Sequence, residues 1–235
     1  RAGRGCRSVA LMHVDAADVS ASDVWIGGTP NSAGGRLIGS VRRDRLLVMD
    51  AAGQVPIIVD EAFLDFTEAP SAAGHPAALV ARSETKLFGL PGLRAGALVV
   101  PPRYRERVEA VRDPWPIGTP AATVAGFCLQ QTAFIATTRQ RVVAERARMR
   151  AALTPAYEVS PSAAPFLLCR PRRLTALGLT PADPVGDLCR RAAAADIAIR
   201  DARSFAGYDE HIRIAVRRPH ENDRLLSVLL GDHDG

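Results

Sequence analysis

The sequence predicts an α/β protein with a mainly parallel sheet, followed by a smaller α+β C-terminal domain. The chain has 235 residues, of which 47% are hydrophobic and 23% charged, as in proteins with a substantial buried core. In its first part, short apolar runs alternate with helical patterns or long loops, which is typical of crossovers between parallel strands. After Pro101-Pro102 the pattern changes to long helices and later strands.

Each element is assigned from its hydrophobic period and from the turn residues beside it. In the first part we expect strands at residues 8–12, 24–26, 55–59, 77–81 and 95–100, and helical segments at 15–23 and 36–52. In the second part we expect helices at 103–112, 120–136, 138–153, 183–195 and 220–230, and strands at 157–159, 166–169, 197–199 and 211–216. The predicted domains are residues 1–138 and 139–235.

The charge distribution favours small anionic ligands over a nucleic acid. The net charge of +5 is spread along the chain, and aromatic residues make up 5% of it, too few for a surface that stacks single-stranded bases. Residues 114–138 carry no charge but include three prolines and two glutamines, so we expect a buried wall and no membrane span.

The four cysteines, Cys6, Cys128, Cys169 and Cys189, are too far apart in sequence to suggest a metal-binding pair. We expect reduced, mostly buried thiols and no metal site. The basic, glycine-rich start lacks the apolar run of a secretory leader, so a cytoplasmic protein is expected.

Lys86 is the only lysine among the 30 lysine and arginine residues. Arginine replaces lysine in most surface roles, but it does not form an imine, because a guanidinium does not lose its proton near neutral pH. One interpretation is therefore a lysine that bonds covalently to a carbonyl group. The other is a residue that survives by chance in an arginine-rich sequence.

The neighbours of Lys86 favour chemistry. Ser83 and Arg94 flank it at distances suited to clamping a phosphate. The glycines of this stretch allow the backbone to approach a flat ligand: Gly89, Gly92 and Gly96. Asp60 follows an apolar strand, a position where ligands bind at the carboxyl edge of a parallel sheet, and could pair with a ring nitrogen. An imine-forming lysine, a phosphate clamp and a carboxylate for a pyridine nitrogen are what pyridoxal 5'-phosphate requires.

Four stretches carry a resemblance to a known family. Residues 56–66 and 83–96 resemble the aspartate and lysine signatures of the class I and II aminotransferases, the fold-type-I pyridoxal-phosphate enzymes. Residues 31–34 stand in place of the family's Asn-Pro-Thr-Gly, and residues 211–216 resemble a motif near its C-terminus. The resemblance implies an aminotransferase-like large domain with a mainly parallel sheet, incomplete at the N-terminus, plus the smaller α+β domain.

The resemblance also implies residue roles. Lys86 would form the imine and move the proton at the substrate α-carbon. Asp60 would pair with the pyridine nitrogen, Ser83 and Arg94 would bind the cofactor phosphate, and Asn31 would hydrogen-bond the ring oxygen. Structural alternatives stay open, since Asp60 could cap a helix and Asn31 could serve its turn.

Arg213 would hold the substrate carboxylate or an equivalent anion, unless it is a surface strand residue. The lysine stretch and residues 63–66, 114–116 and 199–205 look most like the branch of threonine-phosphate decarboxylases of cobalamin biosynthesis and histidinol-phosphate aminotransferases. That branch uses substrates with both an amine and a phosphate, so a second anion pocket is expected, with Arg200 as a candidate. Members are typically homodimers.

Two hypotheses remain. The chain is a pyridoxal-phosphate enzyme that transaminates or decarboxylates a small phosphorylated amino compound, or it is a truncated, inactive remnant that acts as a folded or partner-dependent domain. No motif separates the two reactions. One departure from the family is Phe63, where many relatives carry a tyrosine.

Overall fold

The computed structural model describes residues 25–37, 57–76 and 78–231, which form two four-stranded sheets with helices between and beside them. The strand expected at 8–12, the helical segment at 15–23 and nearly all of the helix at 36–52 lie outside the described residues. Cys6 lies outside them as well.

The first sheet has the strand order β1-β2-β3-β4. Its strands are β1 (Trp25–Gly28), β2 (Ile57–Asp60), β3 (Ala78–Ser83) and β4 (Gly96–Val99). The first three are parallel, and β4 is antiparallel to β3. Alternate apolar side chains of β2 and β3 are buried together and form the core of this sheet: Ile57, Val59, Ala78 and Val80. The prediction of a mainly parallel sheet is therefore confirmed.

The link between β3 and β4 is the twelve residues 84–95, about the least that a parallel crossover needs. Such a crossover usually contains a full helix, whereas the helix here has four residues, so the chain turns back beside β3. The link contains α1 (Glu84–Leu87) and a 3-10 turn at Pro91–Leu93. Gly96 opens β4, and a Cβ atom there would lie 2.7 Å from the Arg82 carbonyl oxygen. The close approach at Gly96 is thus to the neighbouring strand, and its approach to a flat ligand stays a prediction.

Three helices follow: α2 (Arg105–Glu109), α3 (Thr119–Leu129) and α4 (Thr132–Leu153). The helix break expected at residue 137 is wrong, because the break lies at Gln130 and Gln131, and Gln131 has a non-helical ψ of 56°. The change from apolar to arginine-rich composition near residue 137 alters the surface of one continuous helix. The domain boundary at 138–139 stays a prediction, and it falls inside α4.

The uncharged segment 114–138 is not a buried wall among the described residues, contrary to expectation. Trp115 is 90% exposed, Phe127 64% and Phe134 50%. Cys128 is the buried side chain of α3. Little of the described chain packs against the apolar side chains of this segment, so they stay exposed to solvent. In the described part of the chain, no helix combines the length and apolar character needed to cross a membrane.

The second sheet has the order β5-β6-β8-β7, and all of its pairings are antiparallel. Its strands are β5 (Tyr157–Val159), β6 (Phe166–Pro171), β7 (Arg200–Asp201) and β8 (Ile212–Ala215). Helices α5 (Pro184–Ala194) and α6 (Pro219–Leu230) complete it. Buried residues of this sheet and of α4, α5 and α6 form one continuous core, which includes Met149, Tyr157, Leu188, Ile212 and Leu229.

The strand expected at 197–199 is wrong, since the strand in this region is Arg200–Asp201. Asp196 adopts a left-handed conformation with φ of 56°, and the Ile197 amide donates to the Ala192 carbonyl at 2.9 Å. Such a bond closes the C-terminal turn of a helix. Residues 197–199 therefore complete the end of α5 and lead into the strand.

Candidate active site

Most of the predicted cofactor-binding residues lie at the carboxyl edge of the first sheet. Gly28, Asp60 and Ala81 stand in one row across β1, β2 and β3. Ligands bind at this edge in parallel sheets, because the strands end there and the loops that follow them converge. The Asn31 turn follows β1, and Lys86 lies on α1 directly after β3.

Lys86 is exposed, and its Nζ atom lies 5.6 Å from the centroid of the Phe63 ring. Within the described residues its ammonium group has no hydrogen bond or ion pair with the protein. A cation at this distance from an aromatic face is attracted weakly, by about 0.5–1 kcal/mol at exposed sites. The amine is therefore held weakly beside the Phe63 ring and stays available to an incoming ligand.

Asp60 is exposed at the end of β2. Its Oδ1 atom accepts a hydrogen bond from the Ala62 backbone amide at 2.9 Å, which orients the carboxylate over the turn that follows. No further side-chain bond to Asp60 is found in the described chain, so one oxygen stays available to a donor. Asp60 closes a turn here and does not cap a helix.

Ser83 and Arg94 lie at the same end of the β3–β4 pair. Ser83 pairs with Gly96, two residues from Arg94. The Ser83 hydroxyl is hydrogen-bonded to the Thr85 hydroxyl at 2.8 Å. Arg94 is left-handed, with φ of 51°, and donates one N–H to the Pro91 carbonyl at 3.1 Å, so that the rest of its exposed guanidinium can reach a ligand. The adjacent Thr85 hydroxyl was missed in the sequence.

Asn31 holds a tight turn. Its Oδ1 atom accepts a hydrogen bond from the Gly34 amide at 2.9 Å, which leaves the side-chain amide group as a donor. Gly35 has φ of 70°, and a Cβ atom there would lie 2.1 Å from the Ser162 hydroxyl. The Gly35 carbonyl also accepts from the Ala163 amide at 2.8 Å. The turn is therefore pressed against the loop that precedes β6.

Arg213 on β8 reaches this turn from the second sheet. It is half-buried and donates a hydrogen bond from Nη1 to the Ser32 carbonyl. Its guanidinium carbon lies 4.7 Å from the Phe166 ring centroid and 5.3 Å from that of Phe205. Both rings were missed as site residues in the sequence. No local signal in the sequence singles them out, because their role depends on contacts between distant residues.

Arg200 pairs with Arg213 across β7 and β8, and its guanidinium carbon lies 5.3 Å from the Phe205 ring centroid. It also donates to the Ser204 hydroxyl at 2.9 Å. Desolvation first, and the positive charge of Arg200 second, lower the pKa of Arg213. Among the described residues no carboxylate forms a salt bridge with either arginine. Two neighbouring cations without a salt-bridged carboxylate favour an anionic ligand.

Phe63 connects the two groups of residues. Its ring meets the Phe166 ring edge to face, with centroids 5.3 Å apart and an interplanar angle of 82°. The contacts therefore run without a break from Lys86 through Phe63 and Phe166 to Arg213. A chain of aromatic contacts therefore joins the amine of the first sheet to Arg213 of the second.

A free primary amine at a sheet edge, linked through two aromatic rings to Arg213, suits an anionic ligand with a carbonyl group. The sequence matches the family model "Aminotransferase class I and II" over residues 44–229, so the chain belongs to that family. It is 32% identical to histidinol-phosphate aminotransferase 1 of Archaeoglobus fulgidus over 173 residues, or 74% of this chain and 50% of that protein.

Two solved structures resemble the chain closely. One is the histidinol-phosphate aminotransferase of Clostridium acetobutylicum, with a TM-score of 0.78 and 28% identity over 89% of this chain and 64% of that one. The other is L-threonine-O-3-phosphate decarboxylase of Porphyromonas gingivalis, with a TM-score of 0.78 and 25% identity over 93% of this chain and 67% of that one. The chain spans about half the length of the curated relatives it matches.

The family uses pyridoxal 5'-phosphate, and the residues at this site fit it. The amine of Lys86 is unpaired, and the Asp60 carboxylate keeps an oxygen that accepts no hydrogen bond from the described chain. The donors suit a phosphate and a ring oxygen, because they are a hydroxyl, a guanidinium and an amide. The residues that would hold the cofactor are Asn31, Asp60, Ser83, Lys86 and Arg94.

The buried Glu84, which lies beside the site at the carboxyl edge of the first sheet, allows a test of the charges there. Its side chain is 8% exposed. Desolvation first and the Asp65 charge second raise the pKa of Glu84, while Arg82 opposes them. Because its folded-state pKa lies above the unfolded value, the contribution of Glu84 to stability decreases as pH rises from about 4.5 through the folded pKa.

We therefore predict that Glu84→Gln raises the thermal midpoint of the chain at pH 7, because the variant has no buried charge to desolvate. The gain should disappear as pH falls towards 4, where the glutamate is protonated in both states. Thermal unfolding of both proteins between pH 4 and pH 8 measures the difference. The same midpoint for both at every pH would contradict the electrostatic assignment.

Proposed function

We propose that this chain works as a pyridoxal-phosphate-dependent enzyme on a small phosphorylated amine or amino acid. The reaction is either transamination or decarboxylation. The observation that carries the proposal is the single lysine, with an unpaired amine beside Phe63, in contact through two aromatic rings with Arg213. The relatives named above support the substrate class, since both names describe phosphorylated amino compounds.

The roles of the cofactor-binding residues follow from their chemistry. Bound pyridoxal phosphate supplies an electron sink for the substrate α-carbon. Lys86 would hold the cofactor through its amine and would move the proton at the substrate α-carbon. Asp60 accepts the ring N–H, and the amide of Asn31 donates to the ring oxygen. Ser83 and Arg94 bind the phosphate.

The two arginines of the second sheet hold the substrate's anionic groups. Arg213 is fixed by the Ser32 carbonyl and by Phe166, so it presents its remaining N–H groups from a constant position. Arg200 is exposed and held through Ser204 and Phe205, which suits it to a phosphate that extends outward. We propose that Arg213 takes the anion nearest the reacting carbon and that Arg200 takes the second anion.

The first experiment tests Lys86 directly. After incubation with pyridoxal phosphate and reduction with borohydride, we expect one stable adduct per chain on the peptide that contains Lys86. Peptide mapping can assign the adduct to a single amine, because Lys86 is the one lysine of the sequence and the N-terminal amine lies on a separate peptide. Lys86→Arg keeps the charge and should abolish the adduct.

A folded wild-type chain without an adduct at Lys86 would overturn the proposal and favour a noncatalytic remnant. Circular dichroism of the same sample establishes that the chain is folded. An adduct at the N-terminus alone would count against the proposal as well.

The second experiment tests the anion sites and separates the two reactions. Carbon dioxide release from phosphothreonine is compared with turnover of histidinol phosphate and 2-oxoglutarate. For the accepted substrate, Arg200→Met should raise KM about tenfold or more, because a hydrogen bond to a charged group contributes about 1.5–3 kcal/mol. Arg217→Met, which removes an exposed arginine beyond β8, is the matched control and should leave KM unchanged.

The unphosphorylated analogue of the accepted substrate refines this assignment. With that analogue, Arg200→Met should have little effect on KM, since the group that Arg200 binds is missing. Equal effects on both substrates would show that Arg200 does not bind the phosphate.

We also propose that the protein is a cytoplasmic homodimer. Reduced thiols support the location, since Cys128 and Cys169 are free and buried, and burial raises the pKa of Cys169 to about 12. The exposed apolar surface beside the site supports the dimer. There Phe134 stacks on Phe88, two residues from Lys86, with ring centroids 5.5 Å apart, and Phe127 is 64% exposed.

Sedimentation of the chain should therefore give the mass of two copies, and Phe127→Glu should shift it towards one copy. Ala144→Glu, an exposed position further along α4, is the control and should leave the mass unchanged. A monomeric wild-type chain would contradict the homodimer.

A further inference from the structure

Arg82 on β3 joins two carboxylates that follow β2. Its Nη1 atom lies 3.4 Å from Glu61 Oε2, and its Nη2 atom lies 2.5 Å from Asp65 Oδ1. The arginine side chain is 25% exposed, that of Asp65 24% and that of Glu61 1%. At such burial the pairs are screened less by solvent than surface ion pairs.

Each of these three residues stands beside a residue of the site. Glu61 directly follows Asp60, and its amide donates to the Ala81 carbonyl at 2.8 Å, which extends the β2–β3 pairing by one bond. Asp65 lies two residues after Phe63, in the 3-10 turn Leu64–Phe66. Arg82 directly precedes Ser83 and lies four residues before Lys86. One guanidinium therefore links the segments that carry the carboxylate, the ring and the amine.

The carboxylates are themselves fixed by other contacts. Glu61 accepts from the Ser71 hydroxyl at 2.5 Å and from the Ala72 amide at 2.7 Å. The backbone carbonyl of Asp65 accepts from Arg139 on α4 at 3.0 Å. Buried ion pairs with this many partners have a defined geometry, whereas their net contribution to stability is often small. A defined geometry with a small contribution to stability indicates that Arg82 holds the neighbouring segments in position.

We propose that Arg82 is a positioning residue that holds Phe63 and Asp60 in place relative to Lys86. That these positions matter for catalysis rests on the proposed function. The alternative is an ion pair that stabilises the fold without affecting the site. The two are separable, because positioning changes the surroundings of Lys86 even when stability is restored.

A test without cofactor uses the single lysine. Growth with lysine labelled with ¹³C at the ε-carbon gives one side-chain signal, that of Lys86. The Phe63 ring, 5.6 Å from Nζ, displaces this signal through its ring current. Phe63→Leu defines the position of the signal without the ring.

Three variants separate positioning from stability. Arg82→Met removes the guanidinium and leaves Glu61 buried without a positive partner. A triple variant, Arg82→Met with Glu61→Gln and Asp65→Asn, removes the charges together and so avoids the cost of an unpaired buried charge. Arg139→Met is the matched control, because it removes another partly buried arginine that binds the Asp65 segment but not Glu61.

We expect the triple variant to have a thermal midpoint close to that of the wild type, with the Lys86 signal displaced most of the way to its position in Phe63→Leu. Arg139→Met should leave the signal at the wild-type position. A wild-type signal in the triple variant, or an equal displacement in Arg139→Met, would overturn the proposal. Loss of folding in both Arg82 variants would also overturn it, since Arg82 would then be a stabilising residue.

A second readout uses the cofactor. The pH midpoint of the visible band of bound pyridoxal phosphate should shift in the triple variant and not in Arg139→Met, because a displaced Asp60 no longer pairs well with the ring nitrogen. A wild-type chain that takes up no cofactor would sink the proposed function, while the Lys86 signal would still decide the role of Arg82.

Discussion

The edge-to-face contact between Phe63 and Phe166 is the interaction on which the site depends. Phe63 follows β2 of the first sheet, and Phe166 begins β6 of the second. On one side Phe63 faces the amine of Lys86, and on the other Phe166 faces the guanidinium of Arg213. This contact joins the residues of the site that the two sheets carry separately. The Asn31 turn, held by Arg213 and by the loop before β6, strengthens the same junction.

The sequence predicted what depends on local chemistry. Lys86 stood out because it is the single lysine, and Asp60 because a carboxylate after an apolar strand is unusual. The strands of the first sheet were predicted because their apolar runs are short, rich in β-branched residues and bounded by turn residues. Family membership, once the motifs were aligned in order, also came from the sequence and is confirmed.

What the sequence could not predict depends on contacts between distant residues. Arg82 finds its partners 21 and 17 residues away, and nothing in the local pattern selects it from 29 arginines. Phe166 and Phe205 look like ordinary strand and loop residues until the fold places them against Arg213. The break between α3 and α4 was misplaced because a change in composition was taken for a change in backbone conformation. The segment 114–138 was judged by its own hydrophobicity, whereas burial depends on what packs against it.

The neighbouring guanidinium groups of Arg200 and Arg213 have a practical consequence. The free chain keeps two like charges side by side, partly out of water, and this repulsion costs free energy. An anion that binds between them offsets this repulsion, so part of its binding free energy comes from the loss of repulsion between the two arginines. Sulfate and inorganic phosphate can supply the same relief. Buffers that contain them will therefore compete with the natural ligand and weaken its apparent binding.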